Sequence, residues 1–167
     1  KRAGQTSEAF TQAVIRQVAL ALSLVHSKGI IHRDVTPGNI LLADKDCSQV
    51  VLADFGLAAW VDSSEARSRC GTPGFIAPEV LDQKRPYFGV KTDCFSLAAV
   101  AYYLLTGRLM FRGKTAQEIL HQARIRRVLI QENKLSVLAL GFIRALVIPE
   151  GEARPSAAEV GGLQWLA

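Results

Sequence analysis

The sequence predicts one mainly helical domain with a small β-hairpin element. Three observations support this fold class: amphipathic periodicity at 8–28, a continuous apolar run at 93–105, and two β-rich runs around a polar turn. The chain has 167 residues, which suits one domain and is short for two, so no second domain is expected.

Residues 8–28 are predicted to form an amphipathic helix. Ser7 is a suitable N-cap and Gly29 is a stop signal after the last turn. Apolar residues recur at steps of three and four, which places them on one helix face. These residues are Phe10, Val14, Ile15, Val18, Leu22 and Val25.

The β-rich runs at 39–43 and 49–53 flank the polar stretch 44–48, which predicts a hairpin-like turn. Residues 56–92 contain Gly, Pro, Ser and charged residues without sustained periodicity, so a long loop is expected there. A loop longer than about 15 residues inside a compact domain usually has a function.

The run at 93–105 is apolar nearly all round, which is typical of a helix buried on every side. Gly107 is expected to end it. Shorter helices are predicted at 115–128, 134–147 and 156–166.

Composition excludes several classes of protein. Apolar residues make up 49% and charged residues 21%, the balance of an ordered globular domain. No apolar stretch approaches the ~18 residues of a membrane span, and the polar start is not typical of a secretory leader. Three cysteines, odd in number and far apart, argue against a disulfide scaffold or a zinc cluster. An intracellular, cytoplasmic location is expected.

The net charge of +5 comes from the second half of the chain. A basic surface could meet nucleic acid, an anionic membrane or acidic proteins. The densest cluster, at 124–127, lacks interleaved aromatic residues, so a solvated helix face is the preferred interpretation. Neither nucleic acid nor a membrane is expected as a partner.

Three short strings stand out: HRDVTPGN at 32–39, DFG at 54–56 and APE at 77–79. Each alone is weak, but their order and spacing are specific. With GTPGFI at 71–76, DCFS at 93–96 and RPSA at 154–157, they resemble the eukaryotic protein kinase catalytic domain over nearly the whole chain. The resemblance is to its C-terminal lobe and to the serine/threonine class, closest to the calcium/calmodulin-dependent-like group.

The resemblance makes 32–39 the catalytic loop and 54–79 the activation segment, and it implies Mg·ATP as the cofactor. Asp34 would accept the proton of the substrate hydroxyl, while Asn39 and Asp54 would present oxygens to Mg²⁺, which prefers oxygen ligands. All three count as catalytic. For isolated residues, capping of turns and strand ends would be the simpler interpretation.

Regulatory and substrate-loop positions are implied in the same way. Arg33 would pair with a phosphate on Ser68, where the family places its main activating phosphosite, although Ser63 and Ser64 compete for that role. Thr72 resembles the loop threonine that contacts the catalytic aspartate.

Structural roles are implied for five residues. His32 is expected to pack beneath Phe55 as a core residue, Glu79 and Arg154 are expected to form a buried ion pair, and Asp93 belongs to the buried-helix signature.

The sequence departs from the family pattern in two respects. Thr36 occupies the cofactor-binding position that usually holds a lysine contacting the γ-phosphate. The N-terminal lobe is also absent, since neither G-x-G-x-x-G nor V-A-x-K occurs. The chain is therefore expected to be part of a larger kinase, inactive alone, with the missing lobe of the same protein as its partner.

Two functions remain open from the sequence. The first is a serine/threonine kinase that transfers the γ-phosphate of Mg·ATP to Ser or Thr hydroxyls of a protein substrate. The alternative is a pseudokinase or scaffold that uses the large lobe for protein binding. Thr36 favours the second, while intact Asp34, Asn39 and Asp54 favour the first.

Overall fold

The computed structural model describes residues 5–43, 49–82, 84 and 89–167. Five helices and two small antiparallel sheets are present among these residues. The helices are α1 Glu8–Ser27, α2 Lys91–Thr106, α3 Ala116–Arg124, α4 Val137–Leu146 and α5 Ala157–Val160. The strands are β1 Ile30–Ile31, β2 Ile40–Leu42, β3 Val50–Leu52 and β4 Ala59–Trp60. The predicted combination of helices with a small β element is present, with about half of the chain helical.

Helix α1 forms where the periodicity predicts it. The Ser7 hydroxyl accepts a hydrogen bond from the backbone N–H of Phe10, which caps the helix as expected. Its buried face packs against α2 and α5, with Ile15, Val18 and Leu22 fully enclosed. By length and hydropathy alone α1 could cross a membrane, and about a third of that apolar window is buried within this domain.

Helix α2 is the centre of the core and is buried on nearly every side. It begins at Lys91, two residues earlier than predicted, and ends at Gly107, whose φ of +67° is the left-handed conformation that glycine adopts without strain. Burial raises the pKa of the Cys94 thiol to about 12, so this cysteine stays protonated and unreactive near neutral pH.

The predicted hairpin is present as β2 paired with β3, with Leu41 opposite Val51. Its predicted turn at 44–48 lies outside the described residues. A second sheet was not predicted: β1 pairs with β4, so that Ile31 lies opposite Ala59. Strands of two residues are too short to produce an alternating pattern, which is why the sequence indicated one β element and a continuous loop.

Three helices are shorter than the sequence indicates. Helix α3 ends at Arg124, because Arg126 has a positive φ of 56° and cannot continue a right-handed helix. Helix α5 ends at Val160, before Gly161 and Gly162, the poorest helix formers apart from proline. The apolar pattern beyond it reflects burial of Trp165 and Leu166 in turns rather than a longer helix.

Candidate active site

Asp93 positions the start of the 32–39 loop. Its carboxylate, 1% exposed in the first turn of α2, accepts hydrogen bonds from the backbone N–H groups of His32 and Arg33, both at 2.9 Å. Arg33 has a φ of +67°, an uncommon conformation for a residue with a side chain. The two hydrogen bonds to Asp93, on the buried helix α2, therefore stabilise the strained backbone immediately before Asp34.

The Asp34 carboxylate accepts three hydrogen bonds from two other segments. Thr72 donates to Oδ1 through its backbone N–H at 3.0 Å and its hydroxyl at 2.6 Å. Asn39 Nδ2 donates to Oδ2 at 2.9 Å and also to the Asp34 carbonyl at 2.8 Å. The carboxylate is thus fixed in orientation by groups 5 and 38 residues away in sequence.

Asn39 and Asp54 lie at the same end of the β2–β3 hairpin. The backbone N–H of Ala53 donates to the Asn39 carbonyl at 2.8 Å, so Asp54 comes one residue past the position opposite Asn39. Asp54 is exposed and has a φ of +59°, and its Oδ1 accepts from the Gly56 N–H at 3.1 Å. This arrangement brings the Asn39 amide, which is hydrogen-bonded to Asp34, and the Asp54 carboxylate to one end of the hairpin.

The donor set at this hairpin end fits a magnesium ion. Both hydrogen bonds of the Asn39 side chain use Nδ2, so no described residue donates to its amide oxygen, and the same holds for Oδ2 of Asp54. These are hard oxygen ligands of the kind that Mg²⁺ prefers together with phosphate oxygens. Clusters of three or more His, Cys, Asp or Glu that could hold a metal ion are absent among the described residues.

His32 is enclosed beneath this site. Its Nδ1 accepts from the Asp34 N–H at 3.3 Å, which leaves Nε2 to donate to the Ala53 carbonyl at 3.0 Å. The ring meets the Phe55 ring edge to face, with centroids 4.8 Å apart. His32 thus links the loop after α1 to the end of β3, and Phe55 remains 46% exposed on its other side.

Arg33 and Ser68 are in direct contact. The guanidinium Nη1 donates to the Ser68 hydroxyl at 2.8 Å and also to the backbone carbonyl of Glu65. Ser68 Oγ in turn donates to the same carbonyl at 2.7 Å. The exposed hydroxyl therefore lies beside a positive charge that originates in the loop containing Asp34.

Thr36 is 7% exposed and has an extended backbone with φ of −137° and ψ of 161°. It precedes the short 3₁₀ turn at Pro37–Asn39, yet its side chain makes no capping hydrogen bond there. A neutral side chain thus occupies a nearly buried position two residues after Asp34.

Glu79 and Arg154 form a bidentate ion pair in the core. Arg154 Nη2 donates to Glu79 Oε2 at 2.8 Å and Nη1 donates to Oε1. Arg154 also donates to the Ile148 carbonyl through Nε and Nη2, and its guanidinium lies 5.1 Å from the centre of the Phe95 ring. The pair connects the end of the 54–79 segment to the turn before α5 and to α2.

Two features of the site were missed by sequence reasoning. His26 Nε2 lies 2.8 Å from the Asp93 carboxylate, a contact across 67 residues for which the sequence contains no signal. Arg108 and Arg112, on the loop after α2, converge on the side chain of Gln131. The charge surplus of the second half was the only indication of this arrangement.

Known proteins that are similar to this chain are protein kinases. The family model described as protein kinase domain matches residues 1–166. Sperm motility kinase 2B of Mus musculus is 34% identical over 99% of this chain and 34% of its own length. Calcium/calmodulin-dependent protein kinase type 1 of Macrobrachium nipponense is 34% identical over 98% of this chain and 48% of its own length. The probable serine/threonine-protein kinase 2 of Plasmodium falciparum is 38% identical over 70% of this chain and 22% of its own. The chain spans less than half the length of these curated relatives.

Proposed function

Because this chain belongs to the protein kinase family, with serine/threonine kinases and calcium/calmodulin-dependent kinases among its relatives, we propose that it transfers the γ-phosphate of Mg·ATP to Ser or Thr hydroxyls of protein substrates. The observation that supports this most strongly is the Asp34 carboxylate, held by Thr72 and by Asn39, with Asp54 exposed at the same hairpin end as Asn39. Phosphoryl transfer requires mainly positioning and charge neutralisation, and these residues offer both.

Each residue has a proposed role. Asp34 would orient the acceptor hydroxyl and take its proton, and the three hydrogen bonds fix the direction in which its oxygens face. Asn39 and Asp54 would hold Mg²⁺, which when bound neutralises charge on the phosphates of ATP. Thr36 would face the nucleotide without contributing a cation.

We also propose that the chain forms the large lobe of the kinase and works beside the N-terminal lobe of the same protein. Apolar side chains stand exposed around the hairpin, among them Leu41, Val51 and Phe55 at 53%, 44% and 46%. Solvent-facing side chains of this kind, grouped near a candidate nucleotide site, suit a covering lobe. A cytoplasmic location, with neither nucleic acid nor a membrane as partner, completes the proposal.

The test is phosphate transfer from labelled Mg·ATP to a generic Ser/Thr protein by the longest native version of this chain, beside its Asp34→Asn variant. Transfer that disappears in the variant would establish the activity. Absence of both transfer and ATP binding would instead favour a scaffold that retains the kinase fold, the second function considered, which the neutral side chain of Thr36 supports.

Replacing Thr36 by Lys is expected to raise the transfer rate by about 10²–10³, the usual contribution of a preorganised charge aimed at the transition state. Thr36 makes no capping hydrogen bond but is only 7% exposed, so a longer side chain must displace its neighbours, and the free energy of unfolding of each variant is measured beside its transfer rate. Thr36→Met, of similar length but uncharged, is the matched control. Equal rates for the Lys and Met variants would show that no γ-phosphate contact is made from this position.

Phosphorylation of Ser68 is expected to raise activity about tenfold, because a phosphate there gains charge-assisted hydrogen bonds to Arg33, already 2.8 Å from the hydroxyl. Mass spectrometry of the native protein before and after phosphatase treatment, with activity measured in parallel, checks this. Ser63→Ala and Ser64→Ala are the controls, and both should respond like the wild type. A highly active protein with Ser68 wholly unmodified would contradict the role.

A further inference from the structure

A basic cleft lies between the end of α2 and the start of α3. It is a shallow depression of about 550 Å³, open to solvent over most of its extent. We call it the arginine cleft, and its polar lining consists of Arg108, Arg112, Lys114 and Glu118, with Leu109 and Phe111 beneath them.

Among the described residues, no carboxylate forms an ion pair with Arg108, Arg112 or Lys114. Arg108 Nη1 and Arg112 Nη2 both donate to the side-chain oxygen of Gln131, at 3.1 and 3.0 Å, in the amide orientation that satisfies the two groups. Arg108 Nε is buried and has no hydrogen-bond acceptor within the described part of the chain. The nearby Glu118 carboxylate accepts from the Lys114 backbone N–H at 2.8 Å. Two guanidinium groups thus share one neutral oxygen, which favours an anion as an additional partner.

A second cleft on α3 has the same character. It measures about 300 Å³ and combines Arg69, His121 and Arg124 with the apolar Leu81 and Leu120. Among the residues that the structure describes, neither Arg69 nor Arg124 takes part in an ion pair, and Arg69 donates only to the Asp82 carbonyl at 3.4 Å. The arginine cleft therefore lies at the start of α3 and the second cleft lies along the rest of that helix, and both present cations.

Both clefts lie close to the proposed acceptor site. A Cβ added at Gly74 would stand 2.9 Å from Leu109 in the arginine cleft, and Gly74 follows Thr72 by two residues. Arg69 precedes Thr72 by three residues, a span of at most about 11 Å. Thr72 is hydrogen-bonded to Asp34. A substrate peptide whose acceptor hydroxyl reaches Asp34 would therefore bring its own residues a few positions from that hydroxyl close to these cations.

We infer that the protein substrate bears anionic side chains, carboxylate or phosphate, within a few residues of its acceptor Ser or Thr, and that Arg108, Arg112 and Lys114 bind them. This deepens the proposed function and rests on it. The charge of the clefts supports it: basic side chains would be repelled, whereas anionic ones gain charge-assisted hydrogen bonds to the two guanidinium groups.

The test uses the longest native version of the chain and four serine peptides that differ only at the flanking positions, which contain Glu, phosphoserine, Ala or Lys. Both transfer kinetics and binding, the latter by fluorescence anisotropy, are measured. The variant is Arg112→Gln combined with Lys114→Gln, because both side chains are exposed whereas Arg108 is partly buried. Lys28→Gln, which removes an exposed cation at the end of α1, is the control for net charge.

We expect kcat/KM and affinity about tenfold higher for the Glu or phosphoserine peptide than for the Ala peptide, with the preference largely lost in the double variant and retained in Lys28→Gln. The Glu and phosphoserine arms identify which anion is favoured. Equal use of the Ala, Lys and Glu peptides by an active enzyme would overturn the inference and leave the kinase proposal standing. Binding of the Glu peptide that depends on Arg112 and Lys114, without transfer to any peptide, would show that these cations bind anionic peptides but would defeat the kinase proposal and with it the inference about the substrate.

Discussion

Asp34→Asn is expected to lower the rate of phosphate transfer by about 10²–10⁴, the usual contribution of a positioned general base. The substitution keeps the size of the side chain and removes its ability to take a proton. Its carbonyl oxygen can still accept the two hydrogen bonds from Thr72, which hold the segment that follows. The loss should therefore appear in kcat, while the fold and peptide affinity stay nearly unchanged.

One contact does change in this variant, and it supplies a control. The new amide would place an N–H₂ group against Asn39 Nδ2, where a 2.9 Å hydrogen bond now exists. The cost is about 1 kcal/mol of stability. Urea unfolding measures this structural cost separately from the transfer rate. A loss of only about 1 kcal/mol of stability together with the large fall in transfer would separate the chemical role of Asp34 from its structural one. Wild-type activity in the single variant would exclude Asp34 as the base.

Local pattern predicts much of this fold, because helices and hairpins depend on neighbours in sequence. The α1 cap at Ser7 and the end of α2 at Gly107 follow from residue type alone. The sheet formed by β1 and β4 does not, since it joins residues about thirty positions apart through strands too short to have a period.

The same contrast between local sequence and long-range contacts applies to the candidate site. Motif spacing named Asp34, Asn39, Asp54 and Thr72, but it did not indicate the positive φ values of Arg33 and Asp54. Asp93 accepts from two backbone N–H groups and supports one of these conformations from a different element. Almost any residue can donate a hydrogen bond through its backbone N–H. The residue types at positions 32 and 33 therefore do not reveal that Asp93 is the acceptor.

Arg154→Ala is expected to lower the free energy of unfolding by about 3–5 kcal/mol, because it leaves the Glu79 carboxylate, 3% exposed, without its counter-ion. It also removes the hydrogen bonds to the Ile148 carbonyl and the packing on Phe95. Urea unfolding of the longest native chain measures the change as a lower midpoint at similar slope.

The matched control is Arg144→Ala. Arg144 pairs with Glu132 on the surface, with side chains 57% and 56% exposed, against 0% and 4% for Arg154 and Glu79. A pair in water contributes about 0–1 kcal/mol, so the two arginine variants should differ several-fold in their effect. Equal losses of free energy of unfolding in the two variants would show that burial does not determine how much the Arg154–Glu79 pair contributes to stability.

A double substitution separates the ion pair from its desolvation cost. Arg154→Met with Glu79→Leu removes both charges and leaves apolar side chains of similar size in their place. We expect this variant to recover much of the stability lost in Arg154→Ala, since no uncompensated charge remains in the core. If stability recovers but phosphate transfer does not, the ion pair serves to fix the segment that holds Thr72 against Asp34, because Glu79 closes that segment seven residues after Thr72.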